Sequence, residues 1–153
     1  MNKQRGFTLI ELLIVMAILA VLLALVLIAV NPVRQSQQAN NAQRRNDLSA
    51  ILNAVYQYAA DRGSLPTGIT TSLRLIGTST SCDSLTCNGT TPTSICYDLA
   101  SDVAPVYLGA VPYDPLNGNT SNTRYGIKKS ATNNRITVTA CDAELSTTIE
   151  FVR

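Results

Sequence analysis

Four cysteines, one carboxylate beside an apolar run and a few acidic pairs are the residues in this chain suited to chemistry. Cys82, Cys87, Cys96 and Cys141 form an even set in the later part of the sequence. A structural zinc site calls for tighter pairs such as C-x-x-C. Cys82-x4-Cys87 does not fit that spacing, and Cys141 lies far away. In an exported segment an even count reads as disulfides. There is no histidine, which removes His-based triads and His-ligated metals. Asp98 with Asp102, and Asp142 with Glu144, are the close acidic pairs available for acid–base work. No nucleophile signature such as G-x-S-x-G accompanies them. Asp114-Pro115, followed by Asn117-Gly118, lies in a loop punctuated by proline and glycine. A structural Asp-Pro turn is the default reading of that stretch. Glu11 is different, because it stands at the edge of a long apolar run. A carboxylate in that position is costly and by default marks function.

The elements that must position these groups begin with that run. Leu12 to Val30 is nineteen residues without a polar side chain. As a helix rising about 1.5 Å per residue it is about 28 Å long, close to the hydrocarbon thickness of a bilayer. Lys3 and Arg5 precede it, so the positive-inside rule keeps the N-terminus in the cytoplasm and delivers the rest to the far side. An ordinary cleaved signal has a shorter core and a small-x-small cut site. Ile28-Ala29-Val30-Asn31 is a poor one. A plain signal anchor fits the length and leaves Glu11 unexplained.

Asn31-Pro32 interrupts the apolar run, and a kink near Val30 within one long helix is expected. Leu48, Ile51, Leu52, Val55, Tyr58 and Ala59 then follow helical spacing, a stripe fit to cover a sheet. Arg44, Arg45, Asp47 and Arg62 fall off the stripe or at its ends and are expected in solvent. Gly63 and Pro66 stop the helix. Beyond lie a loop whose one apolar patch, Leu73 to Ile76, reads as a short strand or a helical turn, and a short element at Ile95 to Leu99. Three strands are expected over residues 124–129, 135–141 and 147–152, with Asn133-Asn134 in a hairpin turn. Residues 136–141 alternate apolar and polar, as a half-buried strand should. The fold class is α+β, a helix on a small antiparallel sheet of about three strands. So small a head is marginal without staples. Four cysteines allow three pairings; Cys82–Cys87 as a local loop and Cys96–Cys141 as a long-range tie is the expected one.

The formal net charge is +2, and Lys3 and Arg5 account for it. A balanced remainder leaves no electrostatic footprint for nucleic acid. Arg44-Arg45 without aromatic interleaving does not make one. Asn88-Gly89-Thr90 and Asn119-Thr120-Ser121 match a glycosylation acceptor pattern short enough to arise by chance.

Gly6 followed by Phe7, with Glu11 four residues after Phe7 at the mouth of such a run, resembles the prepilin peptidase site of type IV pilins and type II secretion pseudopilins. The resemblance is strong from Lys3 to about Pro66. It implies a pilin fold divided into a leader (1–6), a membrane and filament-core helix (7–30), an amphipathic helix (31–62) and a head (63–153). It implies cleavage after Gly6, N-methylation of the Phe7 amine, and Glu11 pairing with a neighbouring subunit's N-terminus. Implied partners are other pilin subunits, the prepilin peptidase and methyltransferase, the inner-membrane assembly machinery, and lipid before assembly. No cofactor and no catalysis are implied. The location implied is the inner membrane, then a periplasmic or extracellular filament. Pro112-Tyr113-Asp114-Pro115, with Tyr125 beyond it, also resembles the loop where major pseudopilins hold calcium. Leu116 replaces the usual Trp there, and the further acidic ligands are absent, which together with the cysteines favours a pilus subunit. A pseudopilin is the alternative, and an anchored enzyme or a tip adhesin are readings from other classes.

Overall fold

The computed structural model describes residues 6–29, 31–82 and 85–153. The chain divides into two units, residues 1–36 and 37–153. The first unit holds helix α1, Leu9–Ala29. Its described side chains are exposed, and they are apolar on every face apart from Glu11 in the first turn. Thr8 begins the helix: its Oγ1 accepts the Glu11 backbone N–H at 3.3 Å, satisfying a donor that the first turn leaves free.

Helix α2 runs from Pro32 to Arg62. Asn31 Oδ1 accepts the Arg34 N–H at 3.1 Å, and Pro32 sits first in the helix, where its missing N–H costs nothing. The expectation of one long helix is therefore corrected to two, with a capped start for the second. The expected kink at Val30 lies outside the described residues. At the far end Gly63 adopts φ +71°, the left-handed conformation that glycine takes readily after a helix.

The second unit contains a five-stranded sheet in the order β2-β1-β3-β4-β5. The strands are β1 Arg74–Ile76, β2 Thr93–Tyr97, β3 Tyr125–Lys129, β4 Ile136–Ala140 and β5 Ile149–Val152, with a short helix α3, Ala100–Val103, after β2. The three expected strands are present as an antiparallel meander, and the turn between β3 and β4 contains Asn134 at φ +56°. The sheet is nonetheless larger and mixed. The apolar patch at residues 73–76 supplies β1, which pairs antiparallel with β3 and parallel with β2. A parallel pair needs a long crossover, and residues 77–92 provide it.

Alternation assigns two faces. Leu48, Ile51, Leu52 and Val55 of α2 pack with Tyr125, Ile127, Ile136, Val138, Ala140 and Ile149 on one side of the sheet. On the other, Leu73 and Leu75 gather with Cys82, Cys87 and Cys96. Thr139 is bonded by Asn88 of the crossover, and Thr137 is buried as well, so β4 is covered on both faces and not half-buried as its alternation suggested. Gly126 makes room for this second layer. A Cβ there would come within 2.9 Å of the Leu73 side chain and 3.2 Å of Thr139.

The disulfides are Cys82–Cys96 and Cys87–Cys141, which corrects the expected pairing. The chain at Cys82 runs beside β2, its N–H donating to Ser94 O at 3.0 Å. Cys87 instead enters a tight two-residue turn, bonded to Thr90 in both directions at 2.8 Å, with Asn88 and Gly89 at positive φ. Asn88 Nδ2 donates to Thr139 Oγ1 at 2.6 Å, which sets this turn over β4 and beside Cys141. The two bonds therefore interleave along the sequence.

Candidate functional site: the N-terminal assembly segment and the clamp on the head

The residues implied in processing and assembly lie in and just before α1. Gly6 and Phe7 precede the helix and are exposed, Phe7 at 80%. A Cβ on Gly6 would meet nothing within 4 Å, so the fold itself does not demand glycine there. Glu11 lies in the first turn of α1, exposed. Its N–H is held by Thr8, the first half of a capping box, and its carboxylate carries no partner among the described residues. Leu9–Ile28 is long and apolar enough to cross a membrane.

The second arrangement is in the head, and the sequence reading missed it. Arg44, expected in solvent, is fully buried on α2. Its Nε and Nη2 donate to the two carboxylate oxygens of Asp114 at 2.6 and 3.1 Å, a bidentate pair. Nη1 donates to Asn41 Oδ1 and Glu144 Oε2, both at 2.9 Å. Asn41 also reads both backbone groups of Glu144, donating to its O at 2.9 Å and accepting from its N at 3.0 Å. Asn40 donates to Glu144 Oε2 at 2.9 Å. Asp114 in turn receives the Leu116 and Asn117 amides at 2.9 and 3.2 Å. One guanidinium thus fastens the loop before β3 and the loop between β4 and β5 to the helix.

The signal for this was present in the spacing. Arg44 and Asn41 lie four and seven residues before Leu48, so they continue the buried stripe by two turns. Their polarity disguised it. Asp47, also expected in solvent, is half-buried and accepts the Tyr125 hydroxyl at 2.7 Å. Arg45 and Arg62 are exposed as expected.

The charges are tuned accordingly. Burial raises the Asp114 pKa, but the bonds from Arg44 and the two amides outweigh it and hold the carboxyl below its ordinary 3.8. Glu144 is lowered by Arg44 first and Asn40 next. Burial lowers the Arg44 pKa, and the Asp114 and Glu144 bonds more than offset it, so the guanidinium stays charged. Asp47 moves up, by burial.

The remaining acidic candidates do not meet as acid–base pairs. Asp98 Oδ1 accepts the Ser101 N–H at 3.4 Å, while Asp102 accepts the Tyr97 hydroxyl. Asp142 faces Asn117 and Arg124, and Glu144 belongs to the clamp. Among the described residues no group of three or more acidic, His or Cys side chains is placed to hold a metal, and Asp114 spends both oxygens on N–H donors.

Residues 1–27 match the prokaryotic N-terminal methylation motif, the prepilin-type signature of type IV pilins and pseudopilins. The match covers the region around Gly6, Phe7 and Glu11 and stops short of the head. No curated protein and no solved structure matches the chain. The motif and the apolar helix together fit a precursor anchored in the inner membrane.

Proposed function

We propose that this protein is a structural, non-catalytic subunit of a type IV pilus-like filament. The observation that carries the reading is a methylation motif set on an apolar helix whose side chains are all left open. In this reading residues 1–6 are the leader and the peptidase cuts between Gly6 and Phe7. The absence of any steric need for glycine at position 6 supports a requirement imposed from outside the fold. The Phe7 amine is then methylated. The apolar helix first sits in the inner membrane with its N-terminus cytoplasmic, and afterwards packs with other copies in the filament core.

Glu11 pairs with the N-terminal amine of a neighbour. In a low-dielectric core an opposite-charge pair is strongly attractive, and a carboxylate left alone is costly. That contrast favours one axial stagger over others. A carboxylate in the first turn with no partner among the described residues supports this role.

Intact-mass measurement and N-terminal sequencing of the protein from native membranes and sheared fibres test the reading. A chain beginning at methylated Phe7 is the expected result. A chain beginning at Met1, or cut beyond Val30, overturns it. A secretion pseudopilin is a second reading, favoured by the Asp-Pro loop that Asp114 organises. Location separates the two: long surface fibres for a pilus subunit, a short periplasmic assembly needed for secretion for a pseudopilin.

A further inference from the structure

The head contains a cavity of about 200 Å³ bounded by the end of β1, α3 and the loops at residues 109–111 and 120–123. Its lining is almost wholly apolar although threonines contribute to it. Two of the three hydroxyls, those of Thr78 and Thr123, are spent on backbone carbonyls of the walls. Thr123 Oγ1 donates to Ile76 O at 2.8 Å, and Thr78 Oγ1 to Thr120 O at 3.3 Å. Ala100, Ala104 and Ala110 are too short to fill the space, and Gly109 presents no side chain at all. A Cβ on Gly109 would meet nothing within 4 Å.

One charged residue lines this space, Asp98. Its carboxylate accepts only the long 3.4 Å bond from Ser101 N–H, and no cation pairs with it among the described residues. Every carboxylate of the clamp is neutralised by Arg44, and Asp142 faces Arg124. Asp98 is solvent-exposed at the edge of this apolar cavity, with its charge uncompensated by any described cation.

A cavity of about 150 Å³ lined by apolar side chains is enough to take benzene. We propose that this cavity is a binding site for a small amphiphilic amine: a compact apolar body seated between Ile76, Val111 and the alanines, with a primary ammonium directed to Asp98. The apolar body gains by leaving water, and the ammonium selects among apolar guests of the same shape. The site is independent of the filament reading, since nothing in it involves α1 or the motif.

The test uses isotope-labelled full-length protein in phosphatidylcholine nanodiscs, with benzylammonium chloride as probe. Backbone amide shifts report on Ala104, Gly109, Ala110 and Thr123, so uptake of the probe by lipid does not mimic binding. Saturable shifts at these residues are expected, in the millimolar range. Benzyl alcohol, the neutral isostere, binds at least about threefold more weakly, as an exposed charge pair allows. Benzoate binds more weakly still. D98N brings benzylammonium down to the level of benzyl alcohol. Gly109→Leu fills the space and removes the saturable shifts while the rest of the spectrum is retained. If that variant does not fold, Ala110→Leu serves the same purpose. Absence of saturable shifts in the unaltered protein overturns the proposal. So does affinity that is unchanged in D98N, or that persists in a folded variant with the cavity filled.

Discussion

Glu11 and Arg44 are two charged residues on helices with opposite relations to their surroundings. Glu11 has an exposed carboxylate with no described partner. Replacing it by Gln is expected to leave membrane insertion intact and to change head stability by less than about 0.5 kcal/mol, while filaments fail to form. Fractionation, thermal melting and electron microscopy of one strain check all three. A large loss of head stability in that variant runs against an assembly role.

Arg44 is fully buried, and its partner Asp114 is buried with it. Arg44→Met leaves the Asp114 carboxylate in the interior without its cation, a change that costs about 3–5 kcal/mol. Asp114 and Glu144 have lowered pKa values, so the stability they contribute is complete above the ordinary carboxylate range. It is lost as pH falls through their folded values, below 3.8 and 4.5 respectively. Asp47, whose pKa is raised, acts in the opposite sense and returns a part of the loss on acidification. Thermal melts of the full chain should therefore hold steady from neutral pH and fall in the acid range. In Arg44→Met the cation that held Asp114 down is gone, and burial is opposed only by the Leu116 and Asn117 amides. The gap between the variant and the unaltered protein is expected to narrow as the pH drops. A gap of constant size would mean that the guanidinium contributes by packing and not by charge.

Among the elements, the crossover from β1 to β2 carries the most consequence. It is the second layer of the head, and its two staples close loops of different length. Cys82–Cys96 spans 14 residues and Cys87–Cys141 spans 54. On the chain-entropy account these contribute about 3 and about 4 kcal/mol. The paired replacement C87S/C141S is thus expected to lower the melting temperature further than C82S/C96S. Gly126→Val tests the same layer from the sheet side. Its side chain would collide with Leu73 and Thr139, so a destabilisation of about 1–3 kcal/mol is expected from overpacking, read from denaturant melts.

The elements also show how much was legible beforehand. The helices and the meander β3 to β5 follow from period, caps and turn residues, all of which act locally. The α1 segment and its candidate residues are read from an unbroken apolar run long enough to cross a bilayer, with Glu11 at its edge. The short strand β1 was legible only as a strand or a helical turn, because three residues are too few for periodicity to separate the two. Its partner β2 joins it across a loop, by contacts that no local pattern encodes. The disulfide pairing failed for the same reason: the Asn88-Gly89 turn carries Cys87 away from Cys82 and onto β4. Arg44 was misplaced because polarity was taken for exposure, although its spacing from Leu48 put it on the buried face.

At the scale of the molecule, the two units answer to different solvents. The first has an apolar surface that is exposed throughout its described part, and on the proposed function it is covered by lipid and then by other copies. The second is a complete head with its own core, its own charge balance and its own staples. The interleaved order of those staples has a further result. Had Cys82 paired with Cys87 and Cys96 with Cys141, one protease cut between Cys87 and Cys96 would have parted the chain. With Cys82 joined to Cys96 and Cys87 to Cys141, every single cut between Cys82 and Cys141 falls inside at least one closed loop. On the function proposed above, a subunit nicked once between these cysteines would stay one covalent piece from α1 to β5, able to carry tension along that path.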